Sequence, residues 1–285
     1  MKYFLIQSLG SAFLLWGVFL IDRLKGAVEV GEIVCLLSLL WKLGAFPFHR
    51  WFIRISVELS WSGFFFLSTA QKILPLVFLE KIFSNVILII RIFTALISVG
   101  GSLSQTNFKK ILIYSSLFGL SWGLLRMRGY SSIWAAYLIL YTLILGSIIR
   151  VLLRRGLGPK GAHQIMARRW GGRYLLFFLL LIAAGFPPFA GFFLKIIILK
   201  TIIRFPLVAL MFLRRAGIVM YIYVRIIFIS YTSGHSSQVL VGAQDVRGGG
   251  WWGLGVVTVV RIILSFMLCK SMIILKILIF KILLV

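Results

Sequence analysis

Apolar runs long enough to cross a bilayer follow one another along almost the whole chain, and this constrains the fold more than any other feature. A helix rises about 1.5 Å per residue, so roughly 20 apolar residues cross a hydrocarbon core about 30 Å thick. Between polar punctuation, such runs extend from Tyr3 to Ile21, about Val30 to Trp51, Ser60 to Leu79, Asn85 to Leu103, Ile111 to Leu125 and Tyr130 to Leu153. They continue from Tyr174 to Arg204, Phe205 to Tyr231 and Trp251 to Leu268. The first run is longer than a signal-peptide core and no A-x-A site follows it, so it reads as a first span. The runs are apolar throughout rather than alternating, which excludes a barrel of tilted strands. The expectation is an all-α polytopic bundle of about 9–10 spans in one integral-membrane domain, 1–285. Its punctuation is a basic loop at 154–173, a polar Gly/Ser-rich loop at 232–250 and a hydrophobic tail at 270–285. The tail extends the last helix, lies along the interface or forms a tenth span.

Composition decides what the chain is not. With 61% hydrophobic and only 13% charged residues, it cannot supply the polar coat of a soluble enzyme. The net charge of +25 invites a nucleic-acid reading. A nucleic-acid binder, however, gathers its cations on a wet face, whereas Arg91, Arg225 and Arg261 sit singly inside apolar runs. Excess Lys and Arg suits a polytopic membrane protein, where basic loops set orientation. The even-numbered loops carry most of those cations and are assigned to the inside. Cys35 and Cys269 lie in apolar runs without metal spacing and read as small hydrophobes.

Charges within spans need an explanation, because each costs about 2.5–3.5 kcal/mol at mid-helix on insertion scales. Lys42, Lys72 and Lys195 each lie roughly half a span from the nearest end. Lys42 stands beside Gly44 and Pro47, and Lys195 beside Gly185, Pro187, Pro188 and Gly191. Helix-breaking backbone is tolerated at membrane depth only where it lines a cavity or packs in protein. Two interrupted helices, each with an ionisable group nearby, form the pattern of an ion pathway in transporters with inverted repeats. Burial disfavours a charged amine, so an amine in apolar surroundings can take a proton from one side and release it to the other. At an effective dielectric near 20, two unit charges about 7 Å apart interact by roughly 2.4 kcal/mol, comparable to moving one charge through 100 mV. The bland alternative is snorkelling, with the lysine stem in lipid and its head at the interface. Arg91 and Arg225 read as structural, pairing with carbonyls or lipid phosphates, and Glu80 with Lys81 as a surface pair. His49, just past the Pro47 break, either relays protons or caps the broken helix. No phosphate loop, cysteine cluster, nucleophile elbow or paired-carboxylate site is present, and no redox centre is visible.

Five segments can be compared with a known family. Trp41 to His49 reads WKLGAFPFH, Gln71 to Leu76 reads QKILPL, and Gly100 to Ser116 reads GGSLSQTNFKKILIYSS. Gly185 to Lys195 reads GFPPFAGFFLK, and Tyr221 to Arg225 reads YIYVR. In this order they resemble the K-L-G-x-x-P-F-H, Q-K-x-x-P, G-G-x-x-Q-T, G-x-P-P-x-x-G-F-x-x-K and Y-x-Y-x-R motifs of the subunit-2 family of mitochondrial NADH:ubiquinone oxidoreductase, respiratory complex I. The resemblance implies an antiporter-like fold in the membrane arm, multi-pass in the mitochondrial inner membrane. Its partners would be other membrane-arm subunits and lipid, not nucleic acid. It implies that Lys42, Lys72 and Lys195 lie on a central polar axis that passes protons, with His49 at its first break. It implies that NADH, flavin (FMN), iron–sulfur clusters and ubiquinone are handled by other subunits, leaving no cofactor, metal or redox active site on this chain.

Two departures qualify it. Where the family continues after the histidine with a proline and an acid, this chain has Trp51-Phe52-Ile53-Arg54, which leaves the end of that helix open. Met1 to Phe4 resembles a segment well inside family members, whose preceding helix carries a glutamate partner for the Lys42 position. The expectation is therefore an N-terminally short chain, an upstream start, or a charge lent by a neighbour. Two other functions stay in view: an anchoring or assembly subunit that moves no protons, and a stand-alone cation/proton antiporter.

Overall fold

In lipid each backbone N–H and C=O must find its partner within the segment, so apolar runs of this length resolve into helices. The computed structural model describes residues 2–23, 28–81, 86–125, 132–154, 170–186, 189–201 and 206–239, and all its elements there are helical. They are α1 (Lys2–Arg23), α2 (Val28–Leu43), α3 (His49–Glu58), α4 (Trp61–Ser68), α5 (Ala70–Lys81) and α6 (Val86–Leu103). There follow α7 (Phe108–Leu125), α8 (Ser132–Arg154), α9 (Trp170–Ala184), α10 (Ala190–Thr201) and α11 (Pro206–Val239). Among the described residues, four stretches are long and apolar enough to cross a membrane: Lys2–Arg23, Trp61–Glu80, Trp134–Arg154 and Pro206–Ile227. At 20 to 22 residues each, they span about 30–33 Å.

The expected runs map onto these helices with three differences. The second run stops at Leu43, turns, and resumes as α3 as far as Glu58. Arg54 stands where the family has an acid and the proline is missing, so nothing removes a backbone donor and the helix carries on. The third run was expected to be continuous, yet it breaks between α4 and α5 at Thr69. There the Thr69 amide and hydroxyl both bond the Phe65 carbonyl, at 3.1 and 2.7 Å, and Pro75 follows within α5. The eighth run continues as helix to Val239, through the first eight residues of the segment expected to be a polar loop. Most of the basic loop (155–169), Pro187, Pro188, the rest of the polar loop, the ninth run with Arg261 and Cys269, and the tail lie outside the described residues.

Helix α1 packs along α2, its closest neighbour, through small residues. A Cβ added at Gly17 would meet Cys35 Sγ at 2.6 Å, and one at Gly31 would meet the Gly17 carbonyl oxygen at 3.0 Å. The outer face of α1 leaves Phe4, Leu15 and Trp16 more than half exposed, which is the apolar surface of a helix whose solvent is lipid or another subunit. Cys35 is buried and fills that seam as a small hydrophobe. The interior centres on α7, whose Trp122, Ile113 and Leu112 are at most 1% exposed. Around it stand α3, α4, α6, α8, α9 and α11.

Cations brace this bundle from inside. Lys109 at the start of α7 donates to the Val57 carbonyl at 2.9 Å and to the Leu59 carbonyl, with its ammonium 5.5 Å from the Trp61 ring centre. It thereby satisfies carbonyls at the C-terminal end of α3, where the helix dipole favours a cation. Arg215 and Arg225 on α11 donate to the Ile92 and Leu103 carbonyls of α6 at 3.2 and 3.5 Å. The carbonyl pairing expected of Arg225 is thus present. Glu80, half-buried, accepts from the Trp134 indole at 3.2 Å and so ties α5 to α8; the side chain of Lys81, its expected partner, lies outside the described residues.

Candidate functional site

Both expected interruptions end in the same hydrogen-bonded motif. At the end of α2, Gly44 takes φ +63°, its amide bonds the Trp41 carbonyl at 3.2 Å, and the Ala45 amide bonds Leu40 at 3.1 Å. At the end of α9, Gly185 takes φ +79°, its amide bonds Ile182 at 3.0 Å, and the Phe186 amide bonds Leu181 at 3.2 Å. Each is a Schellman cap, which needs a left-handed residue that glycine adopts without strain. The cap leaves carbonyls of the last turn exposed at the negative end of the helix.

Lys195 answers one of those carbonyls. From α10 its ammonium donates to the Ala184 carbonyl at 2.8 Å. The contact is so close that a Cβ on Gly185 would lie 2.6 Å from Nζ and 3.2 Å from Cδ and Cε. The glycine therefore serves twice, as the turn and as the slot for the amine. Lys195 also lines a cavity of about 50 Å³ together with Ser115, Gly119, Tyr137, Tyr141 and Tyr223. By the same measure one water needs about 10–15 Å³, so the cavity has room for a few.

Lys72 is 3% exposed. It donates to the Ser116 carbonyl of α7 at 3.1 Å, with the Ser116 hydroxyl at 3.5 Å. Its ammonium lies 5.1 Å from the Phe52 ring centre and 6.0 Å from that of Tyr141. Phe52 reaches it because of the other break: a Cβ on Gly44 would overlap Phe52 Cβ at 2.6 Å, so the turn lets α3 fold back closely. Lys72 lines a second, smaller cavity of about 10 Å³ with Ser116, Gly119, Tyr137 and Tyr141. Gly119, Tyr137 and Tyr141 line both cavities.

The structure brings two of the three expected lysines to one partition and leaves the third elsewhere. Lys42 is half-buried, its stem lying along α1, where a Cβ on Gly10 would sit 3.0 Å from Lys42 Cγ. It lines neither lysine cavity. The Lys42 carbonyl accepts from Gln7 at 3.4 Å. His49 opens α3, and its Nδ1 lies 3.2 Å from the Pro47 carbonyl oxygen, a contact with the break itself. Among the described residues no carboxylate pairs with Lys42, Lys72 or Lys195. Sequence reasoning missed the partition: Tyr137 and Tyr141 attracted no notice, and Phe52, Ser116 and Tyr223 were quoted within motifs without a role. A signal was present, since Tyr137 and Tyr141 are four apart and share a face of α8. What no spacing reveals is that this face looks toward Lys72 and Lys195.

Comparison with known proteins agrees with this architecture. The family model for "NADH:quinone oxidoreductase/Mrp antiporter, TM" matches residues 1–220, a span that holds all three lysines and both tyrosines. NADH-ubiquinone oxidoreductase chain 2 of Anopheles gambiae is 34% identical over 211 residues, covering 71% of this chain and 61% of the relative. The Artemia franciscana protein of the same name is 33% identical over 216 residues, covering 74% and 67%. This chain thus spans about three fifths of the mosquito relative's length. In solved structures, a chain of respiratory complex I from Thermus thermophilus superposes with a TM-score of 0.72 at 20% identity, covering 95% of this chain and 66% of that one. A chain of the Mrp complex from Dietzia gives 0.62 at 18% identity, covering 81% and 49%. The all-helical, antiporter-like fold expected from the sequence is the fold of these neighbours, and the chain belongs to the NADH:quinone oxidoreductase/Mrp antiporter family of transmembrane proteins.

Proposed function

We propose that this chain is an antiporter-like membrane-arm subunit of a proton-translocating NADH:ubiquinone oxidoreductase in the mitochondrial inner membrane, and that it passes protons through Lys72 and Lys195. The observation that carries the reading is the partition. Two amines without carboxylate partners among the described residues face two cavities that share Gly119, Tyr137 and Tyr141. Such an arrangement is costly for stability alone, because replacing buried charge by apolar bulk is often neutral or favourable. It is useful for moving protons. Each amine switches between ammonium and neutral amine by gaining or losing one proton, and at a dielectric near 20 two unit charges about 7 Å apart bias each other by roughly 2.4 kcal/mol. That energy is of the size supplied by a membrane potential of about 100 mV.

In this scheme Lys195 holds its proton against the end carbonyl of α9, and Lys72 holds its own against the Ser116 carbonyl. Lys42 and His49 stand at the first break and form the approach from the α1 side. NADH oxidation and ubiquinone reduction take place on partner subunits, whose conformational changes reach this chain through its exposed apolar faces.

The test is proton transport by the assembled complex in liposomes, with Lys72→Met and Lys195→Met. The reading predicts normal assembly, retained NADH oxidation in the presence of an uncoupler, and fewer protons moved per NADH. A purely anchoring subunit predicts unchanged proton yield with altered assembly. An independent antiporter predicts cation/proton exchange by the purified chain alone in liposomes.

A further inference from the structure

The partition between the two lysine cavities is built from side chains with no packing reason to carry hydroxyls. The Tyr141 hydroxyl oxygen is shielded from solvent and lies beside the Ser116 side chain. Phenylalanine would fill the same space, so packing alone does not call for the hydroxyl. The Ser116 hydroxyl is itself 3.5 Å from Lys72 Nζ, so Ser116 links the ammonium to the phenol. The Tyr141 ring forms a wall of the Lys72 cavity and of the Lys195 cavity. Gly119 lies beneath: a Cβ there would press on Tyr141 Cε2 at 3.3 Å and on the Tyr137 hydroxyl at 3.4 Å. Absence of a side chain at Gly119 lets both phenol rings lie flat against α7.

We propose that the Tyr141 hydroxyl, aided by Tyr137, is the gate that hands protons between the Lys72 cavity and the Lys195 cavity. The step balances without any redox change. A proton released by one ammonium, directly or through a water in the cavity, joins a lone pair of the phenol oxygen. The phenol's own proton leaves toward the other cavity, where the neutral amine or a water takes it. The phenol ends as it began, and a rotation of its O–H resets it. Ser116 is the contact on the Lys72 side, and the Lys195 cavity has room for the water that closes the gap on the other. This inference rests on the reading of Lys72 and Lys195 as proton carriers and adds the group between them.

The experiment uses the assembled complex in liposomes and compares Tyr141→Phe with Lys72→Met, scoring protons moved per NADH and assembly on native gels. A gate predicts that Tyr141→Phe assembles as well as the parent, or better, and loses as much proton yield as Lys72→Met. A packing role predicts unchanged yield, because the ring is preserved, and overturns the proposal. If Tyr141→Phe fails to accumulate, Ser116→Ala decides, since it removes the contact on the Lys72 side while sparing the ring. Lost yield with normal assembly then supports the gate, and full yield overturns it. If Lys72→Met lowers yield and Tyr141→Phe does not, the gate falls while the lysine reading stands. If neither lowers it, both fall.

Discussion

Replacing Gly185 by alanine should disable the site without emptying it of any charge. Two effects combine. At φ +79° the backbone is left-handed, which costs a residue with a Cβ about 1–2 kcal/mol. The new Cβ would also sit 2.6 Å from Lys195 Nζ, inside contact distance, so the ammonium must leave the Ala184 carbonyl it now bonds at 2.8 Å. Losing a hydrogen bond from a charged donor costs a further ~1.5–3 kcal/mol. Together these destabilise the cap and its seated amine by roughly 2.5–5 kcal/mol. Gly44→Ala is the control. Its φ of +63° is as strained, but its Cβ would strike Phe52 Cβ at 2.6 Å and not Lys195. Both variants should lower assembly on native gels, Gly44→Ala the more, because Phe52 Cβ is fixed to its backbone whereas the Lys195 ammonium can swing aside. In the fraction that assembles, Gly185→Ala should lose proton yield per NADH to the level of Lys195→Met, and Gly44→Ala should lose less. A Gly185→Ala complex that assembles fully and pumps normally would refute the idea that the second break exists to seat the amine.

Two further variants probe the scaffold. Lys109→Met should cost about 3 kcal/mol, because it removes an ammonium that satisfies two carbonyls at the end of α3 and faces Trp61; faster proteolysis of the α3–α4 turn in membranes is the readout, and unchanged cleavage would count against the brace. Gly17→Val should separate α1 from α2, since even a Cβ there meets Cys35 Sγ at 2.6 Å; Cys35→Ala in the same chain should restore part of the lost assembly, and no restoration would mean the clash is with backbone alone.

How much could be read from the sequence depended on whether the governing rule is local. Helices follow from apolar length, and both broken helices from glycine and proline beside a lysine, because cap and turn chemistry is written within a few residues. The break at Thr69 escaped because no glycine marks it and the hydroxyl that bonds the Phe65 carbonyl looks, in sequence, like any other threonine. The extension of α11 through Ser233, Gly234 and Ser236 escaped because residues that favour loops were followed over the helix that carries them. The long-range pairings were beyond reach. Lys72 and Ser116 are 44 residues apart, and nothing at either position announces the other. For the same reason snorkelling reads from the sequence as the stronger alternative for Lys72 than for Lys42, although the stem of Lys42 lies on α1 and Lys72 is enclosed.

That contrast bears on what the repeated breaks are for. The two Schellman caps are alike in hydrogen bonding and differ in what their glycines make room for. At Gly185 the cleared space receives an ammonium; at Gly44 it receives Phe52, whose ring then covers Lys72. One break thus holds a charge directly, and the other holds the apolar lid above a charge carried by a different helix. A lid keeps bulk water from Lys72, so under the proposed function its proton would leave sideways, across the wall of Gly119, Tyr137 and Tyr141, rather than outward past α3. The proposed path needs an amine at each end and a hydroxyl between, and Lys72, Tyr141 and Lys195 are placed to supply them.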